Sequence, residues 1–95
     1  MVEHPQKTRI MIVEDTAVVA KHIEATLQHF GYQVVGTFSL GEKAVQKVTV
    51  LLPDLVLMDI RLKGVLDGIE AATQIRQHHN IPIIYLTFGN IQIQF

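Results

Sequence analysis

Glu14 and Asp15, Asp59 and Thr87 are the residues of this chain best placed to do chemistry, because each follows or closes a short apolar run. The runs are Arg9 to Val13 (R-I-M-I-V), Leu55 to Met58 and Ile81 to Leu86. Continuous apolar runs of this length belong to strands buried on both faces. In open sheets made of such strands, ligands gather beyond the carboxyl ends. If the first and third strands are neighbours, three carboxyl groups converge, and like charges that close do not all stay ionised without a cation. Mg²⁺ meets that need with oxygen ligands, retained waters and an affinity for phosphate, so a carboxylate cluster beside a hydroxyl suits phosphoryl transfer. One acidic residue at a strand end is ordinarily a solvated loop residue. Several at successive strand exits are what point to chemistry.

The elements that must carry these residues alternate in period. From Thr16, Val19, Ile23, Leu27 and Phe30 recur at helical spacing, with Gly31 where a C-terminal cap belongs. Gln33 to Phe38 is a second, β-branched run. Ser39 followed by Glu42 has capping-box spacing and opens a helix with Ala44, Val45, Val48 and Leu52 as its apolar stripe, closed by Pro53. Asp67 reads as the N-cap of a third helix with Ile69, Ala72 and Ile75 inward, ending around His78, His79 and Asn80. Strands alternating with helices of this length indicate βαβ units, hence an α/β fold with a parallel sheet and helices on both faces.

At 95 residues the chain has room for one small domain. A hydrophobic fraction of 48% with 18% charged residues is globular composition. The net charge of −1 supplies no field to recruit nucleic acid or anionic lipid, so direct DNA binding is not expected. The absence of cysteine removes disulfides, thiolate metal sites and cysteine nucleophiles. With no apolar run of membrane-spanning length and a polar start over Met1 to Thr8, the expectation is a soluble, cytoplasmic protein without a membrane partner.

Taken together, I-M-I-V-E-D, P-D-L-V-L-M-D-I-R-L, D-G-I-E-A-A and I-P-I-I-Y-L-T resemble the receiver domain of two-component response regulators. The resemblance runs from Arg9 to Thr87 and implies a flavodoxin-like, doubly wound sheet of order 2-1-3-4-5. It further implies that Asp59 accepts a phosphoryl group from a sensor histidine kinase or phosphotransfer protein. Glu14 and Asp15 would be the acidic pair, Arg61 a Mg²⁺ ligand through its backbone carbonyl, and Thr87 the switch hydroxyl. The chain would then be a signalling module and not an enzyme. Its departures from the family are specific: no Lys follows Thr87, and Phe88 stands where a small residue is usual. The expected layout is a polar lead over 1–8, a receiver domain over 9–87 that is incomplete at its C-terminus, and a divergent tail over 88–95. The alternative to a signalling receiver is a phosphorylation-impaired module that acts through protein association.

Other signals are weaker. Gly36 to Gly41 superficially has P-loop spacing, but Glu42 stands where the Lys should be and would repel phosphate. A hydrolase that forms an aspartyl phosphate would carry a second Asp two positions after the first, where this chain has Arg61. His22 and His29 lack a third ligand at compatible spacing and read as surface residues. In the tail, Gly89-Asn90 is turn chemistry, and Ile91, Ile93 and Phe95 alternate with Gln92 and Gln94 at strand period. Such a strand would cover the exposed edge of the fourth, either by folding back or by adding to a second copy. The expectation favours the second route, a homodimer through the exposed sheet edge and tail.

Overall fold

A computed structural model describes residues 6–87 and 90–94. The elements follow in the order β1 (Arg9–Val13), α1 (Ala17–His29), β2 (Gln33–Phe38), α2 (Gly41–Leu51), β3 (Leu55–Asp59), α3 (Gly68–His78), β4 (Ile83–Thr87) and β5 (Asn90–Gln94). They build one sheet of order β2-β1-β3-β4-β5. The first four strands are parallel, the flavodoxin-like arrangement expected from the alternation of apolar runs and helical stripes.

The strand β5 runs antiparallel to β4, from Thr87 opposite Asn90 to Ile83 opposite Gln94. Parallel neighbours need a crossover of a dozen or so residues, and the sequence places only two between these strands, so a reversal of direction is the one pairing open to it. The tail therefore folds back on its own chain. This corrects the expectation that it pairs primarily with a second copy. Phe88, Gly89 and Phe95 lie outside the described residues, so the expected turn at Gly89-Asn90 and the departure at Phe88 do too.

The sheet is covered unequally. On one face α2 and α3 pack over Met11, Val13, Val56, Met58, Ile83 and Tyr85, with Ala44, Val48, Ala71, Ala72 and Ile75 buried among them. On the other, α1 alone covers Ile10, Ile12 and Leu57, and Ile84 and Leu86 are only partly buried there. Among the described residues no second helix flanks α1 on this face, so the sides of its stripe are left uncovered. Ile23 and Leu27 pack against the sheet, Val19 is half-exposed, and Phe30 lies in solvent, edge-on to His29. No helix among the described residues is long and apolar enough to cross a membrane.

Helix ends follow local chemistry. At the end of α1, Gly31 adopts φ +90°, with Gly31 N–H donating to the Gln28 carbonyl and Tyr32 N–H to that of Leu27. This pair of bonds is the Schellman arrangement, which needs a left-handed residue after the cap. At α3, Asp67 and Glu70 form a reciprocal capping box. The buried residues of α3 are Gly68, Ala71, Ala72 and Ile75, a helical i, i+3, i+4, i+7 set, which turns Ile69 outward, contrary to expectation. Nor does α2 have the expected Ser39–Glu42 box: Leu40 is its N-cap without a side-chain bond, and the Glu42 carboxylate is used elsewhere. Leu52 is not on the stripe of α2. It is the C-cap of α2, in the left-handed region at φ 46°, and its carbonyl accepts from Arg9 Nη1 at 2.9 Å.

Candidate functional site

Because β1 and β3 are adjacent and in register, with Val13 opposite Met58, the residues that follow on each strand emerge at one edge. There one carboxylate oxygen from each of Glu14, Asp15 and Asp59 lies within 4.8 Å of the others. Three of the sequence-expected site residues are thus brought together by parallel pairing alone.

Glu14 is the buried member, 8% exposed. Its N–H donates to the Phe38 carbonyl on β2, and its carboxylate accepts from Thr16 N–H at 3.2 Å. Burial pushes its carboxyl up to about 7, and the neighbouring Asp59 carboxylate adds to the rise. Glu14 is therefore the carboxyl of the cluster whose burial most disfavours its charged form. The donor set is all oxygen and is half-exposed at Asp15 and Asp59, which fits Mg²⁺, an ion that keeps several waters while binding carboxylates.

The loop from Ile60 to Asp67 closes over the cluster. Arg61 N–H donates to Asp59 Oδ1 at 3.1 Å, so the Arg61 main chain adjoins the Asp59 carboxylate. Lys63 N–H donates to Asp15 Oδ2 at 3.3 Å. Farther along, Val65 and Leu66 donate to the two oxygens of Glu42 at 3.2 and 3.5 Å. The loop then enters α3 at Gly68, whose N–H donates to the Ile60 carbonyl at 2.9 Å. Thr87 is the last residue of β4, next in the sheet to β3, with Leu86 opposite Asp59. The placement of its hydroxyl lies outside what is described.

Sequence reasoning missed the parts played by Glu42, Lys63 and Gly68. The spacing of Glu42 from Ser39 matches a capping box and points away from the loop. The available signal was the glycine content of the segment from Gly64 to Gly68, which marks a main chain packed closely against something. His22 and His29 are exposed, in agreement with their assignment as surface residues.

Comparison with known proteins bears directly on this site. Residues 10–94 match the family model described as the response regulator receiver domain. The chain is 39% identical over 79 residues to the sensory transduction protein BceR of Halalkalibacterium halodurans, covering 83% of this chain and 33% of that protein. It is 37% identical to the transcriptional regulatory protein PdtaR of Mycobacterium tuberculosis, over 83% of this chain and 38% of that protein. It thus spans about a third of the length of these relatives. Among solved structures, the signal receiver domain of a modulated diguanylate cyclase from Desulfovibrio desulfuricans superposes with a TM-score of 0.83 at 40% identity, covering 86% of this chain and 66% of that one. PhyR of Bartonella quintana, in complex with the anti-sigma factor NepR, matches with a TM-score of 0.78 at 32% identity, over 94% of this chain and 41% of that one. With its sheet order, acidic edge and family match in agreement, the chain belongs to the response regulator receiver domain family.

Proposed function

We propose that this chain accepts a phosphoryl group on Asp59 from a histidine kinase or phosphotransfer protein, with Mg²⁺ held by Asp15, Asp59 and the Arg61 carbonyl, and passes the signal to protein partners. The observation that carries this reading is the convergence of Glu14, Asp15 and Asp59 within 4.8 Å at the carboxyl edge of parallel strands. In the transfer, a carboxylate oxygen of Asp59 attacks phosphorus and the bond from phosphorus to the donor's imidazole nitrogen breaks. The electron pair returns to that nitrogen, and Asp59 becomes an acyl phosphate. Mg²⁺, when bound, screens the incoming phosphate from the carboxylates and neutralises charge on its oxygens. Glu14 would hold waters of that ion, and Thr87 would supply the hydroxyl that engages the phosphoryl group. Consistent with a role in signalling, the site presents a carboxylate acceptor and lacks the second Asp that would promote hydrolysis. A cytoplasmic location follows from a kinase donor.

A second reading rests on β5, where Asn90–Gln94 place no lysine beside β4. With no ammonium from that strand on the phosphoryl group, transfer is slower, and protein association through the sheet edge carries more of the function. Incubation with acetyl phosphate and Mg²⁺, followed by intact mass measurement, separates these readings. A slow, Mg²⁺-dependent gain of one phosphoryl group that disappears in Asp59→Asn is the expected result. Equal labelling of the two proteins would remove Asp59 as acceptor, and no labelling of either would leave the association module.

A further inference from the structure

Glu42 stands outside the acidic cluster, on the first turn of α2, yet it holds the loop that closes the cluster. Main-chain N–H groups along that loop are tied down in turn: Arg61 to Asp59, Lys63 to Asp15, and Val65 and Leu66 to Glu42. The first two ties come from the site itself. The third comes from a different βα unit and takes two successive N–H groups on the two oxygens of one carboxylate, an acceptor-only group suited to that pairing.

The loop is shaped to receive this carboxylate. Gly64 has φ +111°, and a Cβ there would lie 3.2 and 3.3 Å from the Glu42 oxygens and 3.1 Å from Leu40 Cδ2. On the α2 side, a Cβ at Gly41 would come 2.9 Å from the Leu66 carbonyl oxygen. Two glycines thus allow the turn of α2 and the loop to approach until Glu42 bridges them. An eight-residue segment without regular structure has many conformations to lose, and this bridge removes them at its far half.

We propose that Glu42 is a positioning residue for the phosphoryl-accepting site, fixing the loop so that the Arg61 and Lys63 main chain meets Asp59 and Asp15. The inference rests on the reading of Asp59 as acceptor and of the cluster as a Mg²⁺ site. Glu42 touches neither the ion nor the phosphate in this account. It acts through the conformation of the backbone that supplies the Arg61 carbonyl. Groups that support ligands in this way commonly change metal affinity by 10- to 100-fold when removed.

Four variants test it: Glu42→Ala, Glu42→Gln, Glu42→Asp and Gly64→Ala. The aspartate keeps a negative charge near the α2 N-terminus but is one methylene too short to span to Val65 and Leu66, which separates helix stabilisation from loop positioning. Gly64→Ala disturbs the same contact from the loop side without altering a carboxylate. Mg²⁺ affinity, followed by the amide shifts of Arg61 and Lys63, should fall about tenfold in all four. The rate of Asp59 labelling by acetyl phosphate should fall with it, and the Val65 and Leu66 amides should exchange faster. If those amides exchange faster while Mg²⁺ affinity and labelling match the unmodified chain, Glu42 is only a structural tie and the proposal is overturned. Should Glu42→Ala fail to fold, the aspartate and Gly64→Ala variants decide by the same criteria. An unmodified chain that neither binds Mg²⁺ nor labels on Asp59 overturns the underlying reading, and the proposal falls with it.

Discussion

Gly68, the first residue of α3, lies directly against the main chain of Asp59, so that a Cβ on Gly68 would overlap the Asp59 carbonyl oxygen. β3 and α3 are therefore in backbone contact, reinforced by the Gly68 N–H bond to the Ile60 carbonyl. Side-chain flexibility cannot relieve a clash with backbone. Gly68→Ala should therefore cost about 3 kcal/mol, at the upper end of ordinary overpacking. Urea denaturation measures this. A loss below about 1 kcal/mol would show that α3 can shift away freely, which well-packed interiors resist.

Stability should depend on pH through Glu14, in a direction opposite to that of a salt-bridged carboxylate. Burial and the Asp59 carboxylate raise its folded pKa from 4.5 to about 7, so between those values the folded protein binds more protons than the unfolded chain. Stability is then greatest below the unfolded value and declines as pH rises through this window. Denaturation in EDTA at about pH 5 and about pH 8 should show this decline, and Glu14→Gln should flatten it. Saturating Mg²⁺ should offset the loss at the higher pH, because it compensates the carboxylates once ionised. A decline of equal size in Glu14→Gln would assign it to other groups.

The capping box at α3 gives a smaller and more local effect. Glu70 N–H donates to Asp67 Oδ1 at 2.8 Å and Asp67 N–H to Glu70 Oε1 at 3.1 Å. Asp67→Ala should cost about 1 kcal/mol, the usual value for losing an N-cap side chain. Since Asp67 also ends the loop that Glu42 holds, amide exchange should quicken from Leu66 into the first turn of α3. Protection unchanged there would mean that the cap contributes nothing beyond what Gly68 already fixes.

Parallel pairing explains why so much of the site could be read from the chain. Ile10 to Val13 and Val56 to Met58 are apolar and buried on both faces, which only a central strand satisfies, and parallel strands in register bring their carboxyl ends to one edge. Glu14, Asp15 and Asp59 meet as a direct consequence. The Glu42 bridge is different in kind. It depends on the left-handed turn at Gly64, and apolar periodicity carries no information about a loop's path. Ser39 and Glu42 have the spacing of a cap, but the same carboxylate gains two loop N–H groups instead of one at its own helix end. Phe30, Val19 and Ile69 show another limit. Each fits a helical stripe, yet burial requires a partner surface: Val19 and Phe30 lie on α1, which has no neighbouring helix on its face among the described residues, and Ile69 falls beside the Gly68, Ala71, Ala72 and Ile75 stripe that α3 turns to the sheet. The direction of β5 was set by connection length, a constraint that strand patterning does not contain.

The last prediction concerns what β5 does for the sheet. Its main chain pairs with β4 along Ile83 to Thr87, and thereby satisfies backbone groups that would otherwise form an exposed edge. Such an edge, on a strand whose Ile84 and Leu86 are only partly buried, is a template for association. A chain shortened to end at Thr87 should therefore be less stable than the full chain and should associate at micromolar concentration, as species with unpaired strand edges do. The full chain, with that edge covered from within, should associate less at the same concentration. Sedimentation velocity of the two chains compares their size directly, and thermal unfolding compares their stability. If the shortened chain sediments as a monomer and unfolds at the same temperature, β5 does not protect the sheet. If instead the full chain is the one that dimerises, the tail also pairs between copies, and the fold-back seen here is one of two arrangements available to it.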